Sequence, residues 1–335
     1  HFIFEYYPWY STSPWRHWNE EGRTPPTDIA ANSVPRLGAY DSLSTSVLEQ
    51  HARWIADAGV GAINLSWWGP DSFEDRAAHR VMDVMHAHDI HVAFHLEPYK
   101  ADRGSSYWQD ISLLIKEYGD RRHWDCFLLV RDASGRQGPV FKSFRTILPP
   151  TITDCHGVTE ITRDYTSDSE WRRQSDSVRT WLAGDFDRLW LFADSLDFPR
   201  VRASGFDGVA IYDAYVRPST WPDFAKACSE HDLLFSFNCN AGFDGVETRN
   251  VPAGSCYVAP EFEPPAPDLD WYQARSRERA RRLASRRISN SLQTTVQLQL
   301  DERLANASRG TFLVFINSFN EWHEGTAFEP MRDAA

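Results

Sequence analysis

The sequence lacks several features that would assign it to a common class of protein. It contains no run of about 18 apolar residues, so it predicts no membrane-spanning helix. It has no G-x-G-x-x-G pattern and no Walker loop, the glycine-rich turns that hold nucleotide phosphates. It also has no internal repeat, no low-complexity tract and no linker-like segment, and these absences favour one domain over residues 1–335.

Cysteine is scarce, and the five cysteines are an odd number without a C-x-x-C pair. This pattern predicts neither a zinc site nor a disulfide framework. Cys126 and Cys239 lie in apolar, strand-like runs, so we interpret them as packing residues. The five are Cys126, Cys155, Cys228, Cys239 and Cys256.

Positive charge is in deficit as well. The net charge is −12 and the isoelectric point is near 5.5, which argues against a nucleic-acid binder or an anionic-membrane binder. One basic segment, Arg275–Arg287, carries seven arginines in thirteen positions. Because its spacing is helical and Glu278 is interleaved, we interpret it as the solvated face of a helix rather than a nucleic-acid site.

Short apolar runs alternate with longer amphipathic segments along the chain, which is the pattern of βαβ units and a parallel sheet. Eight β/α units favour an α/β fold with a single (β/α)8 TIM barrel, whose active site lies at the C-terminal ends of the strands. Strands are predicted near residues 2–4, 61–67, 91–97, 140–144, 188–193, 206–212, 233–239 and 312–318. Helices are predicted near residues 47–58, 72–88, 107–118, 170–183, 221–231 and 271–308.

Aromatic residues are abundant, at 14% of the chain with 14 tryptophans, and many stand among polar residues where predicted strands end. Strand ends meet on one face of a parallel barrel, so these residues should converge there. Aromatic rings beside carboxylates, histidines and amides are typical of a sugar site, although tryptophan also serves as core packing. The strand-end residues are Tyr6, Tyr7, Trp9, Tyr10, Trp67, Trp68, His95, Glu97, Tyr99, Tyr212, Asp213, Asn238, Asn240 and those from Asn320 to Glu324.

The most informative stretch is Phe312–Pro330, which reads FLVFINSFNEWHEGTAFEP. It begins as the apolar run of a buried strand and ends in a polar segment with Glu321 and Glu324. Two acids three positions apart, beside Trp322, suggest proton transfer on a sugar. The alternative is a solvated loop with two surface glutamates.

The histidines near these strand ends allow a second interpretation. His95, Glu97 and His323 could in principle ligate zinc or iron, which accept such ligands. No H-E-x-x-H pattern supports this, and histidine beside a carboxylate more often forms a hydrogen bond. We therefore expect no metal and no cofactor.

Six motifs together resemble the endo-α-1,2-mannosidases, glycoside hydrolase family 99. They are FEYYPWY, HWN (17–19), LSWW, HLEPY, GFDG (205–208) and NSFNEWHEGT. The likeness runs in order from residue 4 to about residue 330, and residues 25–42 resemble the loop that precedes the family's first long helix. The resemblance implies a (β/α)8 barrel, in agreement with the strand count.

The resemblance implies a retaining endo-hydrolase that cuts within an α-mannose-containing glycan without a protein nucleophile. A glutamate matching Glu321 would act as general base on the substrate's 2-hydroxyl, which attacks the anomeric carbon and forms a 1,2-anhydro sugar. A glutamate matching Glu324 would protonate the departing oxygen and then deprotonate the water that opens the epoxide. Substrate contacts are expected at Tyr7, His17, Trp67, His95, Glu97, Tyr212, Asn320 and Trp322.

Two segments depart from the family pattern. Only Tyr212 matches the two tyrosines that normally follow GFDG, and residues 240–270 follow no familiar arrangement. Both lie where the sugars flanking the cut should bind, so the substrate stays open among glucosylated high-mannose N-glycans, fungal mannan and bacterial polysaccharides, with a microbial mannan favoured. The alternatives are a hydrolase of another polysaccharide and a barrel that binds glycan without cutting it.

The remaining expectations concern partners and location. We expect a monomer with no nucleic-acid partner and no membrane span. The chain starts at His1 without a methionine, so we weakly favour a secreted or periplasmic protein whose leader has been removed. Asn64-Leu-Ser66 and Asn306-Ala-Ser308 match the glycosylation acceptor pattern, but neither establishes secretion.

Overall fold

The computed structural model describes residues 1–119, 124–266, 268–270 and 273–332. Its main element is a curled parallel sheet, in the order β7-β6-β5-β4-β3-β2-β1-β9-β8. Its strands are β1 (Phe2–Tyr6), β2 (Ala62–Trp67), β3 (His91–Leu96), β4 (Gln137–Ser143), β5 (Trp190–Ala193), β6 (Gly208–Ala210), β7 (Leu234–Ser236), β8 (Cys239–Asn240) and β9 (Val314–Asn317).

The sheet curls because its two ends belong to one stretch of chain. β7 and β8 stand at opposite ends of the order, yet only residues 237 and 238 separate them. Most strand residues are apolar and buried; all six residues of β2, for example, are buried. Strands covered on both faces read as continuous hydrophobic runs, which is why the sequence revealed them. The architecture is that of an α/β barrel.

Eight α-helices occur among the described residues. They are α1 (Thr45–Asp57), α2 (Phe73–Ala87), α3 (Tyr107–Leu114), α4 (Asp168–Leu182), α5 (Phe198–Ala203), α6 (Trp221–Glu230), α7 (Ala274–Leu300) and α8 (Ala305–Ser308). Short 3₁₀ turns cover Glu20–Gly22, Arg103–Ser106, Trp124–Cys126 and Pro218–Thr220, and a π-helical turn, Ile115–Gly119, extends α3.

Helix boundaries follow from local sequence. In α4 the hydroxyl of Ser167 accepts a hydrogen bond from the backbone N–H of Glu170, the N-terminal half of a capping box. In α1 the buried residues Leu48, Ala52 and Ile55 recur at spacings of three and four, which places them on the face that packs on the sheet.

All eight predicted strands have counterparts, with the seventh divided into β7 and β8. The predicted helical region 271–308 is α7 followed by the short α8, and residues 271 and 272 lie outside the described residues. The sequence did not predict α5, nor three small antiparallel pairings: Ser11–Thr12 with Trp15–Arg16, Thr151–Thr153 with Thr159–Ile161, and Leu129–Arg131 with β4.

One prediction about cysteine is wrong. Cys155 and Cys256 form a disulfide, which joins the loop after β4 to the loop after β8. The partners are 101 positions apart, so spacing along the chain gave no sign of their proximity. Cys126, Cys228 and Cys239 are buried thiols outside this disulfide, although Cys126 ends a 3₁₀ turn rather than lying in a strand.

The glycosylation acceptors and the arginine-rich segment differ in their exposure to solvent. Both glycosylation acceptors, Asn64 and Asn306, are fully buried, so neither is accessible in the folded chain. Most of the arginine-rich segment is exposed as expected, but Arg287 is buried and pairs with Glu263 at 3.0 Å. Within the described ranges, no helix combines the length and the apolar character that a membrane span requires.

Candidate active site

The loop that follows β9, residues 318–329, carries both candidate acids; we call it the catalytic loop. It closes on itself through a hydrogen bond from the Ser318 N–H to the Thr326 carbonyl (3.0 Å), and the Glu321 N–H donates to the Ser318 hydroxyl (2.7 Å). Gly325 turns the chain with φ +63°, where a Cβ atom would lie 2.5 Å from Cγ of Asp244. Only glycine fits this turn without strain.

Glu321 is buried, and its hydrogen bonds hold the carboxylate in place. Its Oε1 accepts from the His323 backbone N–H (2.9 Å) and lies 3.0 Å from His323 Nδ1. Two N–H donors on one carboxylate oxygen are what an ionised acid accepts. The side chain is therefore oriented as a proton acceptor.

His323 is fixed through both ring nitrogens. Nδ1 faces Glu321, and Nε2 lies 2.6 Å from the carbonyl oxygen of His17. Burial lowers the pKa of His323, but the hydrogen bond to Glu321 and the charges of Glu321 and Glu20 outweigh burial and raise that pKa to about 9. At neutral pH the ring is an imidazolium that donates from both nitrogens.

Glu324 has a different environment. The Tyr212 hydroxyl donates to its Oε2 at 2.8 Å, and part of the side chain remains accessible to solvent. Burial of the carboxyl raises the pKa of Glu324, the negative charge of Glu321 raises it further, and the pKa reaches about 8. The Tyr212 hydrogen bond and the His323 charge lower this pKa in part. At neutral pH, Glu324 holds its proton.

Glu97 at the end of β3 is a third buried carboxyl. The Ser66 hydroxyl donates to its Oε1 at 2.9 Å. Burial raises the pKa of Glu97, which the charges of His95 and Arg103 reduce only in part. Glu97 also raises the pKa of Glu324 through its own charge, so the two belong to one electrostatic cluster.

Beneath these acids lies a buried polar network that the sequence did not predict. Lys142 donates to Glu5 (2.5 Å), Asn64 Nδ2 donates to the same carboxylate (2.7 Å), and His95 Nδ1 lies 3.2 Å from it. Burial alone would raise the pKa of Glu5, but Lys142 and His95 hold it at about 2. The Lys142 ammonium also lies 5.3 Å from the ring centre of Tyr212.

The sequence contains one sign of this buried network, namely charged residues inside apolar strands. Glu5 and Lys142 each interrupt an apolar strand, in FIFEYY and VFKSF. A charged residue inside a strand buried on both faces needs a partner, and each is the other's partner here. Only the fold shows that the two strands bring them together.

Among the predicted substrate contacts, Tyr7, His17, His95 and Tyr212 surround the acids. The Tyr7 and Tyr212 hydroxyls are hydrogen-bonded to each other. Burial raises the pKa of both phenols, and the charge of Glu321 raises it further. The His17 ring stacks on Trp9 with centroids 4.6 Å apart and lies 5.5 Å from the His323 ring. His95 lies 6.0 Å from Tyr212.

The other three predicted contacts are engaged within the protein. Asn320 accepts from the Tyr7 N–H (2.8 Å) and donates to the Tyr7 carbonyl (2.9 Å). The Trp322 indole donates to Glu329 and the Trp67 indole to Asp75, at 2.9 and 2.7 Å. All three side chains are almost completely buried. The polar groups of Asn320 and Trp322 hold the catalytic loop, and that of Trp67 ties the end of β2 to α2.

The positions of the histidines and carboxylates bear on whether they could bind a metal ion together. Among the described residues, His95, Glu97 and His323 do not form a group close enough to share an ion, whereas His17, Glu20 and His323 do. Both nitrogens of His323 already have hydrogen-bond partners in Glu321 and His17. The role of His323 that the geometry supports is orientation of Glu321.

The chain is similar to known proteins in both sequence and structure. The sequence profile of glycosyl hydrolase family 99 matches residues 1–141. A glycoprotein endo-alpha-1,2-mannosidase-like protein of Danio rerio is 28% identical over 97% of this chain and 69% of its own length. The glycoprotein endo-alpha-1,2-mannosidase of Mus musculus is 26% identical over 97% of this chain and 66% of its own length.

The chain resembles glycosyl hydrolase family 99, which the profile match and these relatives support. It is a glycoside hydrolase and spans about two thirds of the length of these relatives. A solved structure of the family 99 endo-alpha-mannosidase from Bacteroides thetaiotaomicron superposes with a TM-score of 0.69 at 20% identity, covering all of this chain and 89% of that one. At this identity the superposition supports the shared fold alone.

Proposed function

We propose that this chain is a retaining, endo-acting α-mannoside hydrolase of family 99 that cleaves within an α-mannose-containing glycan. Relatives along nearly the whole chain bear the name endo-alpha-1,2-mannosidase, which supports a mannose glycan as the substrate. A microbial α-mannan is the substrate we favour, and another polysaccharide cut by the same two acids is the alternative.

The observation that carries the proposal is the contrast between the two carboxyls of the catalytic loop. Glu321 accepts two N–H hydrogen bonds from His323, whereas burial and the charge of Glu321 raise the pKa of Glu324 to about 8. Glu324 keeps its proton while Glu321 is placed as a hydrogen-bond acceptor, so the pair offers an acid and a base. A barrel that only binds glycan needs neither.

The proposed first step uses the substrate's own 2-hydroxyl. Glu321 takes the proton of that hydroxyl, whose oxygen attacks the anomeric carbon, while Glu324 gives its proton to the departing oxygen. The bond to the leaving group breaks and a 1,2-anhydro sugar forms. In an α-mannoside the leaving group and the 2-oxygen are axial on opposite faces, so this attack is open; in an α-glucoside it is not.

The second step regenerates both acids. Glu324, now ionised, takes a proton from water, the water oxygen attacks the anomeric carbon, and the epoxide C–O bond breaks. Glu321 returns its proton to the 2-oxygen. Two inversions give net retention of configuration, the outcome that general acid–base pairs reach by reversing their roles.

We propose that Tyr7, His17, His95, Glu97 and Tyr212 contact the sugar at the cut, because all five lie beside the acids. Trp67, Asn320 and Trp322 are proposed to act on substrate by holding these residues and the catalytic loop, since their own polar groups are occupied by protein.

We further propose that residues 1–335 form one catalytic domain with a closed (β/α)8 barrel. In this arrangement β7 and β8 are two halves of an interrupted seventh strand. The support is that β6 pairs with β7 while β9 pairs with β8, across a break of two residues.

The deciding experiment is reducing-end release from a panel of α-mannans by the wild type, Glu324→Gln, Glu321→Gln and the control Glu247→Gln, an exposed acid of a neighbouring loop. We expect both catalytic-loop variants to lose at least about 100-fold in kcat and the control to keep its activity. Wild-type rates in Glu324→Gln would show that the acid is assigned wrongly.

The intermediate has its own test. A matched 2-deoxy substrate lacks the attacking oxygen, so we expect no cleavage of it at concentrations that saturate the enzyme with the parent glycan. Efficient cleavage with retention, followed by NMR of the released anomer, would exclude the epoxide route.

A further inference from the structure

A segment of the loop after β8 holds the backbone of the catalytic loop at two of its functional residues. The Asp244 N–H donates to the carbonyl oxygen of Glu324 at 2.8 Å. Two positions further on, the Val246 N–H donates to the carbonyl oxygen of His323, also at 2.8 Å. We call residues 242–246 the bracing segment. Its hydrogen bonds fix the main chain from which the proposed acid and the neighbouring histidine project.

The side chain of Asp244 packs against the turn that follows Glu324. A Cβ atom added to Gly325 would lie 2.5 Å from Cγ of Asp244 and 2.6 Å from its Oδ1. The carboxyl is therefore in direct contact with the backbone of the turn. Because packed groups leave little free space, a shift of this carboxyl moves the turn with it.

Asn32, in the segment between β1 and α1, anchors Asp244. Its Nδ2 donates to Oδ1 of Asp244 at 2.6 Å and to the carbonyl oxygen of the same residue at 3.0 Å. A single amide thus holds both the side chain and the main chain of Asp244. The position of Asp244 depends on this contact as well as on the bracing segment.

The bracing segment has a firm base of its own. Phe243 and Glu263 exchange two backbone hydrogen bonds, at 2.8 and 2.9 Å. The buried carboxylate of Glu263 accepts from Arg287 of α7 at 3.0 Å and from Arg217 at 2.9 Å. These bonds connect the bracing segment to α7 and to the loop after β6, so it supports the catalytic loop from a fixed position.

We propose that Asp244 is a positioning residue for the general acid: its backbone N–H and its side chain, anchored by Asn32, set the direction in which the Glu324 carboxyl points. It acts through the catalytic loop, without contact with the reacting atoms. A proton donor must lie within about 2.6–3.2 Å of the oxygen it protonates, and a misplacement of about 1 Å can cost about 100-fold in rate. This inference rests on the proposed function, because it takes Glu324 as the proton donor.

The experiment compares two substrates that differ in the leaving group. They are an α-mannosyl oligosaccharide and the glycosyl fluoride with the same non-reducing portion. A sugar alcohol departs with the proton of Glu324, whereas fluoride leaves with the bonding electron pair and needs no proton. The measured quantity is kcat/KM, which reports the first bond cleavage. The variants are Asp244→Ala, Asp244→Asn and Asn32→Ala.

We expect Asp244→Ala to lower kcat/KM on the oligosaccharide by about tenfold or more and on the fluoride by less than about threefold, since only the first substrate needs a well-placed proton donor. Asn32→Ala should show a smaller loss of the same kind, because it removes the anchor alone. Asp244→Asn keeps an Oδ1 that accepts from Asn32 and should behave like the wild type.

A matched control separates position from stability. Asp207 precedes β6 at the opposite end of the barrel, where its largely buried carboxylate accepts from Arg179 at 2.8 Å and from the Leu191 N–H at 2.9 Å. Asp207→Ala should lower the thermal midpoint of unfolding without changing the ratio of kcat/KM between the two substrates.

Three kinetic results would overturn the proposal and leave the proposed function standing. They are equal losses on both substrates in Asp244→Ala, wild-type ratios in both alanine variants, and a loss in Asp244→Asn as large as that in Asp244→Ala.

Crystal structures of the alanine variants test the position without activity. We expect the Glu324 carboxyl to move by about 1 Å or more and its 2.8 Å hydrogen bond from Tyr212 to be lost. Asn32→Ala provides this test if Asp244→Ala does not fold. An unmoved carboxyl would overturn the proposal even if the wild type cut no glycan.

Discussion

The hydroxyl of Tyr212 donates a 2.8 Å hydrogen bond to Oε2 of Glu324, across 112 positions of sequence. It connects the loop after β6 to the catalytic loop and fixes the carboxyl that the proposed mechanism uses as an acid. Burial raises the pKa of Tyr212 well above its usual value, and the charge of Glu324 adds to this. The phenol therefore stays protonated, and a hydrogen-bond donor, at neutral pH.

Replacing Tyr212 with phenylalanine should change the pH profile in a defined direction. The hydrogen bond lowers the pKa of Glu324, so its loss should raise that pKa above about 8. Because the acid is active when protonated, the basic limb of the kcat/KM profile should move to higher pH, while kcat falls about tenfold. Tyr215→Phe, which removes a nearby phenol bonded to the Glu261 carbonyl, is the control. An unmoved or lowered basic limb in Tyr212→Phe would contradict this view of Glu324.

His323→Gln tests the orientation of Glu321. The imidazolium donates to Glu321 and lowers the pKa of Glu324 through its charge. A neutral side chain should lower kcat by at least about tenfold and also shift the basic limb upward. His91→Gln, at an exposed position at the opposite end of β3, should change neither quantity. A profile of wild-type shape and height would show that His323 only packs.

The sequence predicted the strands and the two catalytic-loop acids because both signals are local. Buried strands are continuous apolar runs, and Glu321 and Glu324 stand where such a run ends. It did not predict which neighbours those acids have. Asn320 and Trp322 were expected to contact substrate, yet their polar atoms are used by Tyr7 and Glu329, a detail that depends on loop geometry.

Contacts between distant strands and loops could not be predicted from the sequence. Glu5 and Lys142 are 137 positions apart, and Cys155 and Cys256 are 101 apart. Each pair meets only because the barrel brings β1 near β4, or the loop after β4 near the loop after β8. No pattern along the chain carries that information.

The Glu5–Lys142 pair makes a prediction about stability. Lys142→Met leaves a buried carboxylate without its cation, which should cost about 3–5 kcal/mol in the free energy of unfolding. The double variant Glu5→Gln/Lys142→Met removes both charges and should be less destabilised than Lys142→Met alone. Urea denaturation of the three proteins measures this order. A double variant no more stable than the single one would indicate that shape, rather than charge, sets the cost.

The same pair predicts a dependence of stability on pH. The pKa of Glu5 falls from 4.5 to about 2 on folding, since Lys142 and His95 outweigh burial. The native state then holds fewer protons than the unfolded state between these values, so stability is full above pH 4.5 and declines towards pH 2. The contribution is about 3 kcal/mol at 1.4 kcal/mol per pKa unit. In Glu5→Gln this part of the acid-induced loss should be absent; an acid limb identical to the wild type would place the decline in other carboxyls.

The disulfide makes the last prediction. Because Cys155 and Cys256 are 101 positions apart, their bond restricts the unfolded chain strongly, and its removal should cost about 2–5 kcal/mol. The variant Cys155→Ser/Cys256→Ser should therefore unfold at lower urea concentration than the wild type. Dithiothreitol should shift the wild type to the same midpoint and leave the variant unchanged, because the three other cysteines are buried thiols that take no part in a disulfide. If the reductant moved both proteins equally, or moved neither, the bond would not be what ties the loop after β4 to the loop after β8.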